Sequence, residues 1–253
     1  MVIDVFKFIN ASKEKKIVSG IPALDSMVGG GFNYGDLVLI LGAPGTGKST
    51  FVEQAFFANL KKGRRGIFAA TNRVESSWLK ELSSFGWDLS KFKDNFIFID
   101  AYSAQATPGK ISGEYTLSDV SDLNEFYRIL KKAVAALDLK KTGGVIIIDS
   151  ASDFLLYGNP TAVFRFMKLL SGLALENNAV AFITLEQGLH DEKITASMEY
   201  LCNVVLEFKV ELNKRFMRIA RFGAGVHPLE WIEFSIATTG LILNVEKFFG
   251  GGT

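Results

Sequence analysis

A single cysteine, Cys202, stands in the 253 residues of this chain. One thiol excludes an internal disulfide. Its place at an expected helix-to-strand junction suits a buried, inert group in a reducing compartment, so a cytoplasmic protein is expected. Net charge is equally scarce. Lys+Arg 28 against Asp+Glu 27 leaves +1, too little for a global field that draws nucleic acid or anionic lipid, and any such contact has to be local. No run approaches the roughly 18 apolar residues of a membrane span. The N-terminus, which mixes Asp4 and Lys7 with apolar residues, lacks the apolar centre of a signal peptide. No internal repeat is visible, which removes solenoids.

What is present suits one large α/β domain. The chain is 48% hydrophobic, long enough for one such core and short for two ordinary ones. Short runs rich in β-branched and aromatic residues alternate with helical periodicity, the pattern of a parallel sheet covered on both faces. Strands are predicted at 37–41, 67–71, 96–100, 145–149 and 180–184. Helices are predicted from Ser49 to Lys61, along the stripe Leu123, Phe126, Leu130, Val134 and Leu137, and after the cap Asn159-Pro160, where Val163, Phe166, Met167, Leu170 and Leu173 form the buried stripe. After about residue 203 strands follow one another without helices, at 203–210, 215–222, 231–236 and 241–245, and antiparallel pairing at one edge is expected. The polar segment 102–120, with Pro108, Gly109 and Gly113, is long for a connection and is expected to be mobile. The tail Phe248-Phe249-Gly250-Gly251-Gly252-Thr253 is expected to fray.

The stretch Gly42-Ala43-Pro44-Gly45-Thr46-Gly47-Lys48-Ser49 follows the apolar run Leu37 to Leu41 and opens a helix. Strand, glycine-rich loop and helix in that order make a phosphate cradle. Its glycines let successive N–H groups point inward while the helix adds its positive end. Lys48 is expected on the β- and γ-phosphates and Ser49 on Mg²⁺, with Thr50 beside them either on the α-phosphate or simply in the helix. A second motif, Gly144-Val145-Ile146-Ile147-Ile148-Asp149-Ser150, is a buried strand that delivers a carboxylate at its carboxyl end, where ligands bind in open α/β sheets. Asp149 is expected to hold Mg²⁺ through water. ATP and Mg²⁺ are therefore the expected ligands.

With these residues the chain resembles the KaiC/RadA branch of the RecA-like ATPases, and single-domain KaiC-like proteins more than recombinases. The likeness is carried by Ser19-Gly20-Ile21-Pro22-Ala23-Leu24-Asp25, Gly29-Gly30-Gly31-Phe32, Gly35-Asp36, Ile148-Asp149-Ser150 and Thr184-Leu185-Glu186-Gln187. It continues through His227-Pro228, Phe234-Ser235-Ile236 and Gly240-Leu241-Ile242. It implies a RecA-type three-layer core, a mostly parallel central sheet with antiparallel edge strands from the C-terminal third, and a ring of identical subunits, expected to be a hexamer, with ATP between them. It further implies sensor roles for Thr184 and Gln187. The expected organisation is an extension over 1–16, the ATP-binding domain over 17–247 and the glycine-rich tail over 248–253.

Two departures bear on catalysis. Family members that hydrolyse ATP well carry one or two glutamates just after the second strand, where Asn72-Arg73 stands here; Glu75, three residues on, is the substitute if the strand end holds a small insertion, and a solvated helix start otherwise. The family also supplies a Lys and an Arg from the neighbouring subunit. Matching back from His227 puts Arg221 at the first position and Gly223 at the second. A general base contributes about 10² to 10⁴ in rate and a trans arginine about 10³ to 10⁵, so slow turnover is expected. The expected function is a nucleotide-dependent regulatory or assembly ATPase with an unidentified protein partner.

Two alternatives compete. A DNA-binding recombination accessory protein is disfavoured because neither 150–159 nor 187–200 offers a basic track; Lys193 is offset by Asp191 and Glu192. Phe8-Ile9-Asn10-Ala11 does resemble a recombinase polymerisation motif, though a short N-terminal strand or loop is the expected reading, and the basic clusters Lys61-Lys62-Arg64-Arg65 and Lys13-Lys15-Lys16 offer local contacts or read as solvated helix ends. KaiC-like phosphotransfer to a protein hydroxyl is the other, with Thr238 and Thr239 as C-terminal hydroxyls that a turn before Gly240 also explains.

Overall fold

Residues 16–106, 113–223, 225 and 227–245 are described by the computed structural model. Phe8-Ala11, Lys13, Lys15, Pro108, Gly109 and the glycine tail lie outside them.

A small antiparallel pair, β1 (Lys16–Ile17) and β2 (Phe32–Asn33), brackets α1 (Pro22–Met27). The central unit then runs β3 (Leu37–Gly42), α2 (Lys48–Lys61), β4 (Arg65–Ala70), α3 (Glu75–Ser84), β5 (Phe96–Asp100), α4 (Ser103–Ala106), α5 (Leu123–Ala136), α6 (Leu139–Thr142) and β6 (Gly144–Asp149). It continues through α7 (Ala151–Tyr157), α8 (Pro160–Glu176), β7 (Ala179–Glu186) and α9 (Glu192–Leu201). Four strands close the chain: β8 (Val204–Glu211), β9 (Lys214–Phe222), β10 (Ile232–Ala237) and β11 (Gly240–Leu243).

Nine of these strands form one sheet in the order β11-β10-β9-β8-β3-β7-β6-β4-β5. From β8 to β5 every neighbouring pair is parallel, and from β8 to β11 every pair is antiparallel. The expectation of antiparallel pairing among the strands after residue 203 therefore holds for all four, and β8 in addition joins the central sheet through a parallel pairing with β3. The helix α9 carries the chain back along the outside of the sheet before β8 begins, which is what a parallel strand requires.

Alternation along the strands sorts the core into two layers. Leu37, Leu39 and Leu41 face α5, α7, α8 and α9, with Phe126, Phe154 and Phe166 among aliphatic neighbours. Val38 and Ile40 face α1, α2 and α3, where Phe51, Phe56, Phe68, Phe182, Phe208 and Trp78 make an aromatic layer. Edge-to-face contacts link it, such as Phe56 with Phe68 at 5.6 Å and Phe51 with Phe208 at 5.6 Å. Both faces of β3 and β6 are buried along their whole length, as a central parallel sheet demands.

The segment expected to be mobile is packed in part where described, with Ala106, Gly113, Glu114, Ser118 and Asp119 exposed. Asp100 exchanges backbone bonds with Tyr115 and Leu117, its carboxylate accepts from the N–H groups of Tyr102 and Ser103, and Leu117 and Val120 are buried. The predicted cap of α8 is present, with the Asn159 side chain accepting from Thr161 N at 2.8 Å.

Candidate functional site

Parallel pairing brings the carboxyl ends of the central strands to one edge. Gly42 stands opposite Glu186, and Ala70 opposite Asp149. The chain leaving β3 has to turn sharply there. A side chain at Gly42 would lie 2.5 Å from the Phe208 carbonyl oxygen and 2.9 Å from Thr46 Oγ1. Gly47 holds a left-handed φ of 104° against Ile236 and begins α2 without a side-chain cap, so the positive end of that helix faces the loop's concave side. Thr46 Oγ1 donates to the Ala43 carbonyl at 2.8 Å and locks the turn.

Lys48 lies along this loop with only 4% of its side chain exposed. Its ammonium donates to the Ala43 carbonyl at 2.9 Å and to Glu186 Oε2 at 2.8 Å. A cavity of about 260 Å³ opens over it, lined by Gly45, Gly47, Lys48, Ser49, Thr50, Glu186, Arg215 and Ile236. Arg215 reaches it from β9, with its Nε buried and without a hydrogen-bond partner among the described residues.

Beside the loop, Asp149 is 2% exposed and heavily engaged. Oδ1 accepts from Thr184 Oγ1 at 2.6 Å and from Ser49 Oγ at 3.3 Å, and Oδ2 accepts from the Arg73 guanidinium at 2.5 Å. That guanidinium also pairs with Glu53 at 3.1 Å and with Glu81. Burial disfavours the charge on Arg73, but Asp149, Glu53 and Glu81 together hold it above the ordinary arginine range. Glu53 sits one turn beyond Ser49 on α2 and is 0% exposed, and neither of its oxygens has a hydrogen-bond partner among the described residues. Burial pushes its carboxyl up to about 8, against the pull of Arg73 and with the push of Glu81 and Asp149.

The KaiC ATPase family model matches residues 17–247. The chain belongs to the KaiC family of ATPases. Among its relatives, a UPF0273 protein of Pyrococcus furiosus is 27% identical over 94% of this chain and 97% of its own. A UPF0273 protein of Thermotoga maritima is 26% identical over 90% of this chain and 96% of its own. In fold, a KaiC-like protein from the hyperthermophilic archaeon Pyrococcus horikoshii superposes with a TM-score of 0.72 at 22% identity, covering 90% of this chain and 98% of that one. The RecA-like three-layer α/β architecture expected from the sequence is the one observed. Membership in an ATPase family implies nucleotide binding, typically with Mg²⁺.

Within this KaiC-family domain the sequence-predicted residues fall into two groups. Gly42 to Thr50, Asp149 and Thr184 converge at one edge of the sheet, and Gln187 joins them through its backbone N–H, which donates to the Gly42 carbonyl at 3.0 Å, while its side chain is exposed. Glu75 and Arg221 stand elsewhere. Glu75 is an exposed first residue of α3 beside a cavity of about 370 Å³ lined by Leu79, Leu89, Phe96 and Phe98. Arg221 is exposed on β9 and donates to the Tyr200 carbonyl at 3.2 Å. The stretches 150–159 and 187–200, read from sequence as loops, are largely the helices α7 and α9. Sequence reasoning missed Glu186, Glu53 and Arg215. For Glu53 a signal exists, since its spacing of four from Ser49 puts both on one helix face; Arg215 has none short of the sheet order.

Proposed function

We propose that this KaiC-family chain binds ATP in the cavity over Lys48 and acts as a nucleotide-dependent regulatory or assembly ATPase with slow hydrolysis. The observation that carries the reading is the convergence, at one sheet edge, of a glycine-shaped loop, a buried lysine and a serine bonded to a buried aspartate. Loop N–H groups and the start of α2 receive the phosphates, and the Lys48 ammonium exchanges Glu186 for phosphate oxygens. Thr50 and Ile236 border the same cavity, and Thr184 fixes the Asp149 carboxylate.

Ser49 Oγ and Asp149 Oδ1 are hard oxygens of the kind Mg²⁺ takes, with Asp149 already engaged by Thr184 and Arg73. When bound, Mg²⁺ would supply charge neutralisation between the phosphates, with Ser49 as direct ligand and Asp149 acting through water. Slow hydrolysis in this reading rests on Asn72-Arg73 at the family's glutamate position, since neither an amide nor a guanidinium accepts a proton from water, and Arg73 is bonded to Asp149 instead. The exposed Arg221 is the side chain available to an adjoining subunit in a ring of identical copies, a hexamer in our reading, in the cytoplasm. DNA binding is disfavoured because α7 carries no basic residue and Lys193 on α9 stands beside Asp191 and Glu192. Thr238 and Thr239 form the turn between β10 and β11.

Lys48→Ala tests the site. Charge-assisted contacts of about 1.5 to 3 kcal/mol translate into ATP binding weakened roughly 10- to 100-fold by titration calorimetry. Unchanged affinity would overturn the assignment.

A further inference from the structure

Asp149 has little left to offer a metal. A carboxylate has about four lone-pair directions; here two hydroxyls, from Ser49 and Thr184, occupy Oδ1, and the Arg73 guanidinium occupies Oδ2. If Ser49 turns toward a cation it frees one position, but the neighbouring positive charge stays. Arg73 is not a swinging surface group. Its side chain is 14% exposed and is held by three acidic side chains on three elements: Asp149 at the end of β6, Glu53 on α2 and Glu81 on α3. Moving it away would strand Glu53, which is 0% exposed and pairs only with Arg73 among the described residues, and a buried polar group left without its partner is costly.

We propose that Arg73 is a built-in counter-ion that stands in for the divalent cation at Asp149, so that this chain binds nucleoside triphosphate with little dependence on Mg²⁺. The inference rests on the ATP-binding reading and deepens it. A fixed guanidinium beside the Asp149 carboxylate repels Mg²⁺ and attracts the polyphosphate, which weakens the first interaction and strengthens the second. The divalent ion then becomes optional for occupancy of the site.

The experiment is a calorimetric titration of ATP into the wild-type chain, the Arg73→Gln variant and the Glu53→Gln/Arg73→Gln double variant, each in excess Mg²⁺ and in EDTA. The double variant removes the buried acid that loss of the arginine would orphan, and far-UV circular dichroism checks that each chain is folded. The wild type is expected to bind with affinities within about threefold in the two buffers, and the variants to lose about tenfold or more in EDTA relative to Mg²⁺. A wild-type dependence on Mg²⁺ of about tenfold or more overturns the proposal by itself, whatever the variants do, as does a folded double variant that matches the wild type in both buffers. Absence of ATP binding to the wild type in both buffers would instead overturn the nucleotide reading, and this inference with it.

Discussion

Glu186 and Glu53 are both glutamates beside cations, and their surroundings set them to different tasks. Glu186 is 26% exposed and bonded to the Lys48 ammonium. Incoming phosphate has to take that ammonium from it, so the carboxylate subtracts from nucleotide affinity through competition and through like-charge repulsion. Glu186→Gln should accordingly tighten ATP binding about three- to tenfold in calorimetry; equal or weaker binding would show that the pair is not broken on occupancy. Glu53 acts on stability instead. Its carboxyl, at about 8 because of burial, against an ordinary value of 4.5, stays protonated in the folded chain while the unfolded chain ionises. The folded state thus binds the extra proton between those two values, and stability falls as pH rises from about 4.5 to about 8 and levels off above. Arg73, Glu81 and Asp149 are the charged groups that face it. In urea titrations the wild type should lose up to a few kcal/mol relative to Glu53→Gln between about pH 5 and pH 8. Parallel pH profiles would show that Glu53 ionises equally in both states.

At the scale of elements, legibility followed how local each requirement is. The glycine-rich turn after β3, the buried runs of β3 and β6 and the Asn159-Pro160 start of α8 are each dictated by contiguous residues, through left-handed backbone, uninterrupted apolar sequence and a capping side chain. All three were readable. The parallel pairing of β8 with β3 was not, because a half-buried strand shows the same alternation whether its neighbour runs with it or against it. The packed parts of 102–120 escaped for a similar reason, since Asp100 captures Tyr115 and Leu117 across a gap in sequence. Within the site, Arg73 was visible only as the absence of a glutamate. Its positive contribution depends on β4 pairing with β6 in the register that sets Ala70 opposite Asp149, and on α2 presenting Glu53 to the same point.

For the whole molecule, the expected behaviour is occupancy without rapid turnover. Phosphate release should proceed nearer the unassisted scale of about 10⁻⁴ to 10⁻² s⁻¹ than that of arginine-finger enzymes. Light-scattering mass should rise when ATP is added. A rate above about 1 s⁻¹ would mean that a competent base and finger act from residues other than those at the family positions, and a mass indifferent to ATP would remove the assembly role.

The unequal make-up of the two core layers has an optical consequence. Trp78 and Trp87 are buried in the aromatic layer under α2 and α3, while Trp231, the third tryptophan, is partly exposed against Lys209 and Arg218. The layer beneath α5, α8 and α9 has no indole of its own. Emission that shifts on unfolding therefore reports the side of the sheet from which the glycine-rich loop and α2 are held. Melting of the opposite layer would register in far-UV dichroism and leave the buried indoles silent, so a gap between the two curves would distinguish a molecule that loosens from one side from a molecule that melts as a unit.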